Sequence, residues 1–146
     1  MSQYFTVGDR TLWNPSNGAS RMFIRQVAVF EAELGLPSGL GPMTDDECQI
    51  DPRAFETFVH ALLAHHRRTS HAVLLALSEG FTATVLVLAE RAGITVDRAQ
   101  FGATPDGPLR DVQVSATVGM SASAEGGAWW STLRARAAEL SRGMPD

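Results

Sequence analysis

Lysine is missing from this chain of 146 residues, and all 12 of its cationic side chains are arginines. The single cysteine, Cys48, excludes an internal disulfide, as is typical of proteins that work in a reducing compartment. No apolar run follows a basic N-terminal start, and the longest such run is interrupted by Ser78, Glu79 and Gly80, too early to cross a bilayer. We therefore expect a cytoplasmic protein that makes no membrane contact.

Recognisable catalytic signatures are missing as well. The chain has no HExxH or CxxC pattern for zinc, no phosphate-binding loop and no GxSxG nucleophile motif. The acidic neighbours of Cys48 favour its neutral thiol over a nucleophilic thiolate. The sequence accordingly predicts no catalytic residues, no metal site and no cofactor, and it favours a non-catalytic protein over an enzyme.

The charge is unevenly placed along the chain. Seven acidic residues and one arginine lie between Glu31 and Glu56, whereas the formal net charge of the whole chain is -4. The chain lacks the basic stripe that a nucleic-acid partner would require. An acidic surface suits a basic protein instead. We predict that this surface contains Glu31, Glu33, Asp45, Asp46 and Glu47.

Apolar periodicity predicts a mainly α-helical fold, organised as a single domain over residues 1–146. We expect an N-terminal β-hairpin at 3–13, a helical core at 20–93, a strand or loop region at 98–127 and a last helix at 128–142. Within the core, Asp51 followed by Pro52 is a strong helix start. The predicted fold class is thus a bundle of about four helices with a short hairpin. One further strand is an alternative for Val112–Val118, where apolar and polar residues alternate.

Between the first two helices lies the stretch "LPSGLGPMTDDECQI", from Leu36 to Ile50. Because this stretch is rich in glycine and proline, we expect a surface loop. Thr44 and Glu47 have the spacing of a capping box for a short helical turn there.

All four histidines lie in "HALLAHHRRTSH", between His60 and His71. Their spacings bring no two of them close together on one helix face, so this helix alone does not chelate a metal. His66 falls on the apolar stripe and is expected to be a core or interface histidine. The alternative is a pocket in which His66, Phe58 and Trp130 bind a small molecule or form part of an enzyme site.

Two further features bear on partners. Trp130 belongs to the stripe of the last helix, so its neighbour Trp129 points elsewhere and either anchors a partner or packs within the domain. The third helix is apolar on more than one side. It is therefore either central in the bundle or offers its spare side to a second subunit, which would make the protein a homodimer.

The segments "YFTVGDRTLWNPS", "VFEAELGLPSGLGPM" and "DECQIDPRAF" resemble an uncharacterised family of small actinobacterial proteins. The resemblance implies no activity, cofactor or site residue. It agrees with the arginine-only composition, which is typical of GC-rich coding sequences. The sequence as a whole predicts a non-catalytic interaction module of the immunity, adaptor or regulatory kind, which presents an acidic surface to a protein partner or to itself.

Overall fold

The computed structural model of the chain describes residues 2–97 and 122–146, with side chains from 128 onward in the second part. These residues form four strands and four helices. In chain order they are β1 Tyr4–Val7, β2 Arg10–Trp13, α1 Asn17–Leu34, β3 Leu40–Thr44, β4 Glu47–Ile50, α2 Pro52–Arg68, α3 Ala72–Arg91 and α4 Ala122–Gly143.

The strands form one mixed sheet in the order β2-β1-β4-β3. Two antiparallel hairpins, β1–β2 and β3–β4, lie side by side, and the central strands β1 and β4 run parallel. A four-stranded sheet with four helices is an α+β fold. The prediction of a helical bundle was therefore wrong, although the first hairpin lies where the sequence predicts it.

The missed strands occupy the stretch that was expected to be a loop. Asp45 and Asp46 have φ angles of 51° and 64° and form a tight hairpin turn, since aspartate tolerates the left-handed region better than most residues. Thr44 pairs with Glu47 across this turn, so the two do not form a capping box. Pro42 is accommodated because β3 is an edge strand with an irregular register between Leu40 and Met43.

Gly39 directly precedes β3, and its backbone contacts the start of α2. Its φ is +83°, and a Cβ atom there would lie 2.7 Å from the backbone nitrogen of Phe55. Its carbonyl accepts a 2.8 Å hydrogen bond from the amide of Asp51, whose carboxylate in turn caps α2 through the amides of Arg53 and Ala54. Only glycine fits this position, because both the backbone angle and the available space exclude a side chain.

The core lies between the sheet and the helices and contains a cluster of aromatic rings. Phe5 of β1 stacks on Trp13 of β2, and Phe23 of α1 meets both rings edge-on. The ring of Phe30 lies parallel to that of Phe81 of α3, with 4.4 Å between the centroids. These contacts place α1 and the middle of α3 against the sheet.

The last helix begins earlier than the sequence suggests. The sequence predicts it at 128–142, whereas α4 spans Ala122–Gly143. Gly126 and Gly127 lie within this helix, and each glycine costs a helix only about 1 kcal/mol relative to alanine. The predicted strand at Val112–Val118 lies outside the described residues.

Arg91 ties the end of α3 to two other parts of the chain. Its guanidinium donates to the carbonyls of Leu12, Ser141 and Met144, at 2.7, 3.1 and 2.8 Å. The helices α3 and α4 run in the same direction. At their C-terminal ends, Arg91 of α3 contacts Ser141 of α4. Nearer their N-terminal ends, His66 of α2 contacts both Ser78 of α3 and Trp129 of α4. One arginine therefore joins β2, α3 and the C-terminal segment.

Helix α3 continues without interruption through Ser78, Glu79 and Gly80. By length and composition alone it could cross a membrane, with a hydropathy of 2.0, and half of that window is buried inside the structure. The core helix of a soluble protein passes the same test.

Candidate functional site

His66 lies in the interior near the end of α2, on the stripe that carries Phe55, Phe58 and Leu62. Only 5% of its surface is exposed, and the indole of Trp129 covers it with 6.2 Å between the ring centroids. The residue thus has the burial predicted for a core histidine.

The hydroxyl of Ser78 on α3 lies beside the ring of His66. The Oγ atom of Ser78 lies 3.5 Å from Nδ1 of His66 and donates a 2.8 Å hydrogen bond to the carbonyl of Leu74. A serine nucleophile must give its proton to the base, but here a backbone acceptor engages that proton. The pair is therefore arranged for packing two helices together rather than for nucleophilic attack.

Burial lowers the pKa of His66 below its usual 6.5, an effect opposed by Glu79 and reinforced by His65. The neutral ring is favoured because a charged ring would lose its hydration in the interior. This direction agrees with a structural histidine whose neutral form is favoured by burial.

The other two predicted pocket residues, Phe58 and Trp130, are buried and half-buried, respectively. Phe58 is fully buried, and Trp129, rather than Trp130, is the indole placed against His66. Trp130 lies beside Trp129 at 5.5 Å and carries the guanidinium of Arg134 above its ring at 5.7 Å. Trp129 is half-buried against the core, as in the packing alternative of the sequence analysis.

The predicted acidic surface is divided between two places. At the end of α1, the Glu31 carboxylate accepts a hydrogen bond from the amide of Ser38, and Glu33 is exposed nearby. At the β3–β4 turn, Asp46 accepts from the side chain of Gln3, Glu47 accepts from Thr6, and Asp45 is exposed. Three of the five predicted carboxylates thus have partners within the fold.

Cys48 lies on the central strand β4 and is fully buried. Burial raises the pKa of its thiol to about 11, and the Sγ atom donates to the carbonyl of Gly41. Such a thiol is inert at neutral pH. Among the described residues, no group of three or more histidine, cysteine, aspartate or glutamate side chains is placed to hold a metal ion.

A shallow groove of about 360 Å³ lies between the start of α1 and the sheet. It is lined by Gln3, Asn17, Arg21, Ile24, Arg25 and Met43. None of the predicted pocket residues is among them, so this groove is separate from His66.

The most unusual surface of the described chain is on the first half of α3. Every exposed residue between Ala72 and Gly80 is apolar or glycine; they are Ala72, Val73, Leu74, Ala76, Leu77 and Gly80. We call this set the α3 apolar face. Leu77 is 70% exposed and Val73 58%. The second half of the helix differs, because Phe81–Ala89 is buried on almost all sides.

The sequence signalled this face only as an alternative. Between Ala72 and Gly80 only Ser78 and Glu79 are polar, and this indicated a helix that is either central or shared with a second subunit. In the structure the second half of α3 is buried and the first half has an exposed apolar side, while the second subunit stays a prediction. Which side chains are exposed depends on where α2, α4 and the sheet contact the helix, and this is not visible in the periodicity.

The chain belongs to a family of unknown function (DUF6086), whose model matches residues 1–146. This agrees with the uncharacterised family that the sequence resembles. No curated protein and no solved structure matches the chain.

Proposed function

We propose that this member of the DUF6086 family is a non-catalytic protein-interaction module, and that the α3 apolar face is its contact surface. The observation that carries the proposal is the composition of that face, which has no exposed polar side chain between Ala72 and Gly80. A contiguous apolar patch on a folded chain is typical of an interaction site, because water is released when a partner covers it.

The chemistry of the interior supports a non-catalytic role. The hydroxyl of Ser78 donates to a backbone carbonyl, and Cys48 is buried with a raised pKa. We do not extend the proposal to a ligand at His66, because Trp129 and the core cover its ring.

The acidic residues enter the proposal as steering charges. Asp45 and Glu47 are exposed at the β3–β4 turn, outside the α3 apolar face, and they concern a basic partner other than the chain bound at that face. Surface charges of one sign accelerate encounters with such a partner more than they add to affinity. A cytoplasmic location and an actinobacterial source complete the proposal. They are supported by the single reduced cysteine and by the absence of lysine.

The first test asks whether the face is free in the folded chain. Leu77→Ala should change the free energy of unfolding by no more than about 0.5 kcal/mol, because an exposed side chain contributes little to the fold. The same substitution at the buried Leu88 of the same helix should cost about 2–5 kcal/mol. Urea unfolding of dilute protein measures both variants.

An equal loss at the two leucines would contradict the proposal. That result would mean that the α3 apolar face is covered within the monomer by its own chain and is not available to a partner.

A further inference from the structure

We infer that the occupant of the α3 apolar face is a second copy of this chain, packed with the two α3 helices antiparallel. The inference rests on the proposed function and names the partner for that same surface. Two observations carry it, the shape of the face and the charges at its two ends, and the size of the face sets the expected strength.

The shape favours close contact between two helices. Ala72, Ala76 and Gly80 are spaced four residues apart and therefore form one line of small residues along the helix. A Cβ atom at Gly80 would meet no atom of the described residues within 4 Å, so this part of the fold does not require a glycine there. A mid-helix glycine costs about 1 kcal/mol relative to alanine. A second helix that crosses at this line would use the space, and Val73 and Leu77 would pack beside it.

The charges favour the antiparallel arrangement. His71 at the start of α3 makes no side-chain cap, so the first amides of the helix keep their partial positive charge. Glu79 lies half-buried at the edge of the face and forms no ion pair within the described residues. A two-fold axis at Ala76 places each Glu79 level with Val73 of the other copy, where a carboxylate stabilises the uncapped helix start.

The parallel arrangement brings like charges together. It would place the two Glu79 carboxylates side by side. It would also bring together the partial positive charges of the two uncapped helix starts, and both contacts are repulsive. Each copy supplies both the carboxylate and the helix start, so the antiparallel contact is self-complementary and closes as a dimer.

The size of the face sets the expected strength. Its residues span about 13 Å along the helix at 1.5 Å per residue. One such face is smaller than the roughly 800 Å² per partner of a standard stable interface. We therefore expect a dimer that dissociates on dilution.

The test is a site-specific cross-link at the proposed axis. In Ala76→Cys the two new thiols face each other, so a short bismaleimide should join two chains. The matched control is Ala28→Cys, since Ala28 is an exposed alanine in the middle of α1. The native Cys48 is fully buried and should remain unmodified in both proteins. Addition of Gly80→Leu to Ala76→Cys should lower the linked fraction about tenfold, because a leucine side chain separates the helices.

The outcomes separate this inference from the proposed function. Equal linking at Ala76→Cys and Ala28→Cys, or linking that Gly80→Leu leaves unchanged, would overturn the second copy as occupant. Co-sedimentation with anionic vesicles in place of linking would overturn it as well and assign the face to a lipid surface. If one of these results is obtained, Leu77→Ala decides whether the proposed function holds. An unchanged free energy of unfolding would mean that the face is still a free contact surface. A large loss would mean that the face is covered within the monomer, and the proposed function would fail as well.

Discussion

Single residues show why the predicted acidic surface is not one site. The Glu31 carboxylate accepts a hydrogen bond from the amide of Ser38, and the Asp46 carboxylate accepts one from the side chain of Gln3. Asp51 caps α2. Each carboxylate satisfies donors close to it in the fold. The sequence showed the accumulation of negative charge and the Asp51 cap, but the hydrogen bonds of Glu31 and Asp46 depend on turns that it did not reveal.

His66 gives a pH-dependent prediction. Because its pKa is lowered in the folded state, the unfolded chain binds this proton first as the pH falls through 6.5. The free energy of unfolding therefore decreases below that pH, until the ring is charged in the folded state too, and His66 contributes no pH dependence above about pH 7.5.

The measurement compares the wild type with His66→Leu. Urea unfolding at neutral and mildly acidic pH should show a smaller loss of stability in the variant, whose buried side chain does not titrate. The other ionisable groups are common to both proteins and cancel in the difference. Equal acid sensitivity would show that folding does not lower the pKa of His66, contrary to its burial.

At the level of secondary-structure elements, the sequence predicted helices better than strands. The stripe from Phe55 to His66 and the Asp51–Pro52 start fix α2 without reference to the rest of the chain. The strands β3 and β4 are short and contain Gly41 and Pro42, and their turn is Asp45–Asp46 rather than a pair that contains glycine. Their buried residues, Cys48 and Ile50, are explained only once β4 is paired with β1.

Arg91 gives the prediction for contacts between elements. Arg91→Ala leaves the carbonyls of Leu12, Ser141 and Met144 without their charged donor. Hydrogen bonds from a charged donor are worth more than neutral ones, and we expect a loss of about 2–3 kcal/mol in the free energy of unfolding.

The matched control is Arg136→Ala on α4. Within the part of the chain that the structure describes, Arg136 forms an exposed ion pair with Glu139, and such a pair contributes about 0.5 kcal/mol or less. Thermal or urea unfolding compares the two variants. Similar losses would mean that Arg91 does not join β2 to the C-terminal segment.

At the scale of the whole molecule, the two halves of α3 have different roles. The half from Phe81 is buried and contacts β2, α1 and α4, whereas the half from Ala72 keeps an exposed apolar side. The sequence predicted an unusually apolar helix, but not which half is enclosed. That depends on how far the neighbouring elements extend along α3, which is a property of the assembled fold.

The mass of the particle in solution tests the central claim, that the α3 apolar face binds a second copy, most directly. Sedimentation equilibrium compares the wild type with Leu77→Glu over about a hundredfold range of protein concentration, because mass action shifts a weak dimer. The wild type should pass from the mass of one chain towards that of two, while the variant remains a single chain. A wild type that is monomeric throughout, or a variant that dimerises equally well, would contradict the account.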